Sequence, residues 1–392
     1  MIPILTVLCI FAALVLLFLY NNLAFTPEGT VLTLPFSGRD ILIGARAPEP
    51  EPNLIIEQDT PPPETPAEQI SETAEEPPNR DEFETRTEKS IFIPLEVLSD
   101  KNAFDELYSK LDKSRADTVI LEVKAENGKL AFSSASALAV KAGAGSPDNT
   151  NLKNTLTKLI MDGYNVSAMV SCFRDDLAAR KSQANAARTK NKVIWLDRGN
   201  ITWLNPYNEG ACDYILELID EICALGFKEI LLTNVCFPYY GKTNLLYYPD
   251  EEEGTDKQTA ISGFISRIID KSKEKQDLRV SIKHEFSPTN EDPAPGGQAL
   301  SDLTASFYRI YAEIPRPEAG RGIDTNLIEE YFKAIGETDF SSRFVPILET
   351  TESDEPADVF DLIYTARTKG NGYLLFNENG KYPKGVLSSE TD

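Results

Sequence analysis

The stretch FKEILLTNVCFP, Phe227 to Pro238, reads as a buried strand running into a turn. Its apolar centre, Ile230-Leu231-Leu232, gives way to Thr233-Asn234-Val235-Cys236 and stops at Pro238. A continuous apolar run of this length suits a strand covered on both faces, as in a parallel sheet. The residues just past such a strand are where a barrel enzyme places its working groups. Here they are a hydroxyl, an amide and a thiol.

The flanks repeat the pattern. Upstream, Asn208–Leu225 predicts a long helix with Ile215, Leu218, Ile219 and Ile222 on one face, closed by Gly226. Upstream again, Leu152–Met161 predicts a helix, Asn165–Ser171 a strand and Asp175–Ala187 a helix. Nearer the N-terminus, Ile91–Val97 predicts a strand, Ala103–Leu111 a helix, and Asp117–Lys124 a strand turning at Glu126-Asn127-Gly128. Downstream, Thr259–Lys271 reads as a helix, Leu278–Lys283 and Leu303–Ile310 as strands, and Asn326–Ile335 as a helix. Phe344–Leu348 (strand), Ala357–Thr368 (helix) and Gly372–Phe376 (strand) close the series. Eight strands with intervening helices predict a (β/α)8 TIM barrel over residues 91–392. An open doubly wound sheet is the alternative, but no glycine-rich phosphate loop supports it.

The rest of the chain differs in composition. From Ile4 to Tyr20 the sequence is apolar except for Thr6, so residues 1–23 are expected to form an uncleaved transmembrane anchor. A cleaved signal peptide is the rival, but a basic start and a small-residue cleavage site are missing. Residues 24–46 form a short juxtamembrane segment in which TVLTLPFSGRDILIGAR could pair as strands. Residues 47–90 are dominated by proline and acids and are expected to be an extended, disordered linker. This organisation places the barrel outside the cytoplasm, although Arg39 and Arg46 beyond the span argue mildly against that orientation.

A net charge of -23 argues against nucleic acid or an anionic lipid surface as a partner, since both need a basic face. Much of that charge sits in one segment and says little about the folded part. One histidine, His284, and five cysteines without CxxC spacing give no zinc site, and no cofactor is expected. Cys212 and Cys223 stand roughly 16 Å apart along one helix, too far to bridge. Cys172 and Cys236 end neighbouring strands, where a disulfide or two packed thiols are both open.

Several segments together resemble a bacterial family of glycosyl hydrolase domains, barrels akin to the α-amylase class. The resemblance runs over most of Ile91–Tyr382. It is carried by Ile120-Leu121-Glu122-Val123-Lys124, by Ala168-Met169-Val170-Ser171-Cys172-Phe173-Arg174-Asp175, and by Trp195-Leu196-Asp197. Trp203-Leu204-Asn205-Pro206-Tyr207, Gly226-Phe227-Lys228-Glu229-Ile230 and Gly372-Tyr373-Leu374-Leu375-Phe376-Asn377 complete it. The family's acid at the end of strand four corresponds to Thr233, and its arginine three residues on to Cys236. The family's third-strand arginine corresponds to Met169, and its fifth-strand acid falls near Ile282-Lys283. Glycoside hydrolysis ordinarily needs two carboxyl groups flanking the bond, and threonine cannot replace one.

The resemblance thus implies a frame that binds a glycan through loop aromatics Trp195, Trp203, Tyr207 and Tyr239, with Thr233, Asn234, Lys124 and Asp175 nearby. Those rings can equally fill the space beneath a long loop, Asp175 can be a helix cap, and Glu122 can pair with Lys124. The alternative is an active hydrolase with relocated acids, Glu122 with Glu285 or Glu349. A third reading is a scaffold for another envelope protein.

Overall fold

The computed structural model describes residues 23–26, 29–33, 40–45, 87–275, 278–286, 292, 294–314, 333, 343–369 and 372–388. The apolar run expected to anchor the chain, the acidic segment up to residue 86 and the helix expected at 326–335 lie outside these residues, apart from position 333. No helix among the described residues is long and apolar enough to cross a membrane.

The chain divides into two units, Met1–Ala74 and Glu75–Asp392. In the first, β1 (Leu23–Thr26), β2 (Gly29–Thr33) and β3 (Asp40–Ala45) form a three-stranded antiparallel sheet. The strand pair expected here is β2 with β3, and β1 adds a strand the sequence did not announce.

The second unit is a closed barrel of eight parallel strands: β4 (Glu88–Ile93), β5 (Thr118–Lys124), β6 (Asn165–Ser171), β7 (Glu229–Thr233), β8 (Arg279–His284), β9 (Ile310–Ile314), β10 (Phe344–Glu349) and β11 (Gly372–Phe376). They pair in sequence order, and β11 returns to β4 to close the ring. Helices such as Thr150–Met161, Glu209–Ala224, Lys257–Glu274 and Pro356–Lys369 connect them. Asn208 caps the second of these through the Ala211 N–H at 3.1 Å, a contact worth about 1 kcal/mol. Its predicted apolar face, Ile215, Leu218, Ile219 and Ile222, is buried.

Side chains alternate across a strand, so each barrel strand sends every second residue inward. The middle of the interior is apolar, with Phe92, Ile120, Met169, Leu231, Tyr311, Val345, Ile347 and Leu374 in one cluster. One alternation lower, at the N-terminal end, the interior is charged. Arg309 pairs with Glu88 at 3.1 Å with both side chains sequestered. The Ser90 hydroxyl donates to Glu88 at 2.5 Å. One alternation higher, at the C-terminal end, stand Glu122, Ser171, Thr233, Lys283, Glu313, Glu349 and Phe376, all on the wall of one cavity. The register shifts between Glu122 and Lys124 on β5, and Lys124 reaches the same wall.

Three sequence expectations are corrected. The segment expected as a strand at Leu303–Ile310 is a helix, Leu300–Ser306, and the strand begins only at Ile310. Barrel closure decides this, because Ile310–Ile314 must lie in register with both Ile282–His284 and Phe344–Leu348. The helix expected over Asp175–Ala187 covers only Asp176–Lys181. Beyond it the chain forms irregular bridges, Ala186 with Leu204 and Arg188 with Ile194. The first barrel strand, expected over Ile91–Val97, runs from Glu88 to Ile93. Pro94 ends it and leads into a short helix, Leu95–Ser99.

Candidate active site

The C-terminal mouth of the barrel opens into a cavity of about 680 Å³. Its floor is apolar, formed by Met169 and Ile347 with Phe92 stacked on Phe376 at 4.5 Å between ring centroids. Its walls are acidic.

Glu122 is a clearly perturbed wall carboxyl. It stands at the inward position near the end of β5, where its Oε2 accepts the Leu95 N–H at 2.9 Å. That bond favours the ionised form, yet burial outweighs it, and Glu96 and Glu378 add like charge. The carboxyl is pushed up to about 7. A carboxylic acid that holds its proton near neutrality is suited to donate it to a leaving group. Glu122 does not pair with Lys124, as the strand spacing had suggested. The Lys124 ammonium, fully buried, instead donates to the Ser171 carbonyl at 2.6 Å and pairs with Asp175 at 2.8 Å. Asp175 also caps the helix after β6, accepting the Ala178 N–H at 2.8 Å. It is therefore a buried structural acid, in line with its bland reading.

Glu349 ends β10 and lines the cavity with Glu122, as one of the expected pairings required. Glu285 does not line it. Its side chain is 2 % exposed and sits behind the wall, accepting the Asn234 N–H at 2.7 Å and holding Lys283 at 3.1 Å. Lys283 faces Glu313 on the other side at 3.3 Å. Burial alone would pull the Lys283 ammonium down, but the two carboxylates prevail and push it up. Glu285 thus acts on the mouth through Lys283 rather than directly. Glu313, which the sequence reading places after the sixth strand with no more weight than the other loop acids, stands on the cavity wall four strands round the ring from Glu122. The inward parity of β9 could have found it, had the strand been placed at Ile310–Ile314.

Thr233 lines the cavity, with Met169 and Ser171 on the neighbouring strand. Asn234 lies behind, in the left-handed region at φ 54. This conformation costs about 1 kcal/mol or more for a non-glycine residue. The fold holds it there by three contacts: its N–H to Glu285, and its amide to Glu126 and to the Ser171 hydroxyl, both at 3.1 Å. Cys172 and Cys236 are both buried and free. Burial pushes the Cys172 thiol up to about 12, and of the two open readings the pair is packed as thiols rather than bonded. His284 points away from the interior, and burial pulls its imidazole down to about 4.

The loop aromatics divide. Trp203 is fully buried, and its indole N–H donates to Asp197 at 3.0 Å. Trp195 is buried with its N–H on the Lys242 carbonyl at 2.9 Å. Tyr207 packs against Phe237 and Tyr248 and donates its hydroxyl to the Thr255 carbonyl. These three fill the space under the long loop and do not line the mouth. Tyr239 is 38 % exposed, edge-on to Tyr240 and Phe286. The aromatic surface that the cavity does present, Phe92 with Phe376, comes from barrel strands. At the rim, Arg174 pairs with Glu126 and with Asp197, the latter at 2.9 Å.

A closed parallel barrel whose C-terminal mouth gathers carboxyl groups over an aromatic floor defines a glycoside hydrolase-like domain. The chain belongs to the family described as "Putative glycosyl hydrolase domain", whose model matches residues 90–311. Glu122, Thr233 and Lys283 fall inside that match, while Glu313 and Glu349 lie beyond it.

Among solved structures, α-L-fucosidase isoenzyme 2 from Paenibacillus thiaminolyticus is similar at 14% identity and TM-score 0.51, covering 77% of this chain and 48% of its own. The glycoside hydrolase domain of PelA from Pseudomonas aeruginosa aligns at 13% identity and TM-score 0.44, over 75% of this chain and 96% of its own. A hypothetical protein from Ruminiclostridium thermocellum aligns at 19% identity and TM-score 0.43, over 49% of this chain and 96% of its own. At 14% identity the likeness to the fucosidase is one of fold alone. Comparison with curated proteins gives no match.

Proposed function

We propose that the barrel hydrolyses glycosidic bonds, with Glu122 as proton donor and Glu313 as the anionic partner. The observation that carries this reading is Glu122 itself: a carboxyl held protonated up to about pH 7 on the wall of a cavity that also contains Glu313 and Glu349. Glu122 gives its proton to the glycosidic oxygen as the bond to the anomeric carbon breaks. Water supplies the hydroxyl to that carbon, and its remaining proton passes through Glu313 to restore the acid. Lys283, held from behind by Glu285, fixes the Glu313 carboxylate in place. The stacked Phe92 and Phe376 give a sugar ring an apolar face to lie on. The acid missing at Thr233 is thereby supplied from other strands.

The apolar run Ile4–Tyr20 and the acidic segment after it would tether the barrel to a membrane and hold it away from the surface. In this arrangement the substrate is an envelope or extracellular glycan, with the barrel outside the cytoplasm.

The test is hydrolysis of a panel of oligosaccharides by the full chain and by Glu122→Gln. Turnover is expected to fall about 10³-fold or more in the variant, and the wild-type rate to decline as pH rises through about 7. Thr233, where the family resemblance implies an acid, favours a second reading, a barrel that binds a glycan without cleaving it. That reading is correct if glycans bind the wild-type chain and neither protein releases product.

A further inference from the structure

We infer that the mouth selects glycans carrying positive charge, chains of free amino sugars, over acetylated or uronic chains. This rests on the hydrolase reading of the same cavity. Among the described residues, six carboxyl groups line the cavity: Glu96, Glu122, Glu126, Glu313, Glu349 and Glu378. Three cations line it, Lys124, Arg174 and Lys283. Each of the three is also met by an acid behind the wall, which offsets its charge. Lys124 is sequestered against Asp175, Arg174 is held by Asp197, and Lys283 by Glu285.

Among the described residues, the wall cations are therefore neutralised by acids within the cavity or behind it, and the excess charge lining the cavity is negative. The floor beneath, Phe92, Met169, Ile347 and Phe376, is apolar, and a charged cleft over apolar walls concentrates field lines into its opening. A uronic acid entering here would have to break an existing ion pair to find a cation. An ammonium group on a sugar ring meets the carboxylates of Glu96 and Glu378, exposed at the entrance. N-acetylation removes that charge and keeps the ring, which makes the matched pair a clean probe.

The experiment measures calorimetric binding of three hexamers, glucosamine, N-acetylglucosamine and galacturonate, to full-length Glu122→Gln at about pH 6, where sugar ammonium groups are charged. Glucosamine hexamer is expected to bind at least about tenfold more tightly than its acetylated form at low salt. That advantage shrinks severalfold when salt is raised to about 0.3 M, and galacturonate does not bind. Adding Glu96→Gln and Glu378→Gln reduces the preference and leaves the acetylated hexamer's affinity unchanged. Equal affinity for the two glucosamine chains, or binding of galacturonate, overturns the charge inference alone, provided the wild-type chain cleaves any glycan. Absence of both binding and cleavage across the panel overturns this inference together with the hydrolase reading beneath it.

Discussion

Replacing Glu122 by Gln has a consequence that needs no substrate. Burial moves the Glu122 carboxyl from the ordinary 4.5 to about 7 in the folded chain. The displacement corresponds to about 3 kcal/mol of preference for the neutral form. Its sign follows from linkage. Below about pH 4 the group is protonated in both the folded and the unfolded chain, and it contributes no pH dependence. As pH rises towards 7, the unfolded chain releases the proton and the folded chain keeps it, so the folded state loses stability over that window. Above 7 both are ionised and the loss is complete. Glutamine does not titrate, so the variant avoids the loss. Because Glu122 is only partly buried and water can relax around it, the expected gain is about 1–3 kcal/mol. Urea denaturation of both proteins at about pH 4.5 and pH 8 measures it. The stability of Glu122→Gln relative to wild type should increase between the two conditions, with unchanged slope against denaturant. A relative stability that stays level across the window would mean that Glu122 ionises normally, and its assignment as proton donor would fall with it.

Two further substitutions test the frame. Asp175→Asn leaves the Lys124 ammonium buried opposite a neutral amide and should cost about 3–5 kcal/mol in urea denaturation, most of it recovered when Lys124→Met is added. Gly372→Ala places a methyl group 1.8 Å from the Glu88 carbonyl at φ +113, at the seam where β11 closes on β4. The protein should lose cooperative thermal unfolding, whereas alanine at Gly143, where nothing lies within 4 Å, should be tolerated except for the strain of its positive φ.

The site was harder to read than the strands because its residues come from separated segments around the ring. The stretch Phe227–Pro238 announced a strand that the barrel contains at Glu229–Thr233, because a doubly covered parallel strand must be apolar throughout. The period of Asn208–Leu225 gave its helix and its buried face for the same local reason. Where local signals conflicted, the ring decided. Leu303–Ile310 looks extended, yet its first residues turn as helix so that Ile310 can meet Ile282 and Phe344. That shift puts Glu313 inside the strand rather than after it, and on the wall of the mouth. Trp203 shows the converse. An aromatic in a long loop reads as a sugar platform until the loop is seen folded over it, with its N–H on a buried aspartate.

The amino-acid order alone determined that strands and helices alternate and favoured an eight-stranded barrel over an open sheet, since alternation follows from spacing along one chain. It also showed a threonine at position 233, where the family resemblance implies an acid. Only closure of the barrel decided which side chains share the mouth. The gathering of Glu122, Lys283, Glu313 and Glu349 on one cavity wall depends on register and inward parity around the whole ring, properties that no local window of sequence contains.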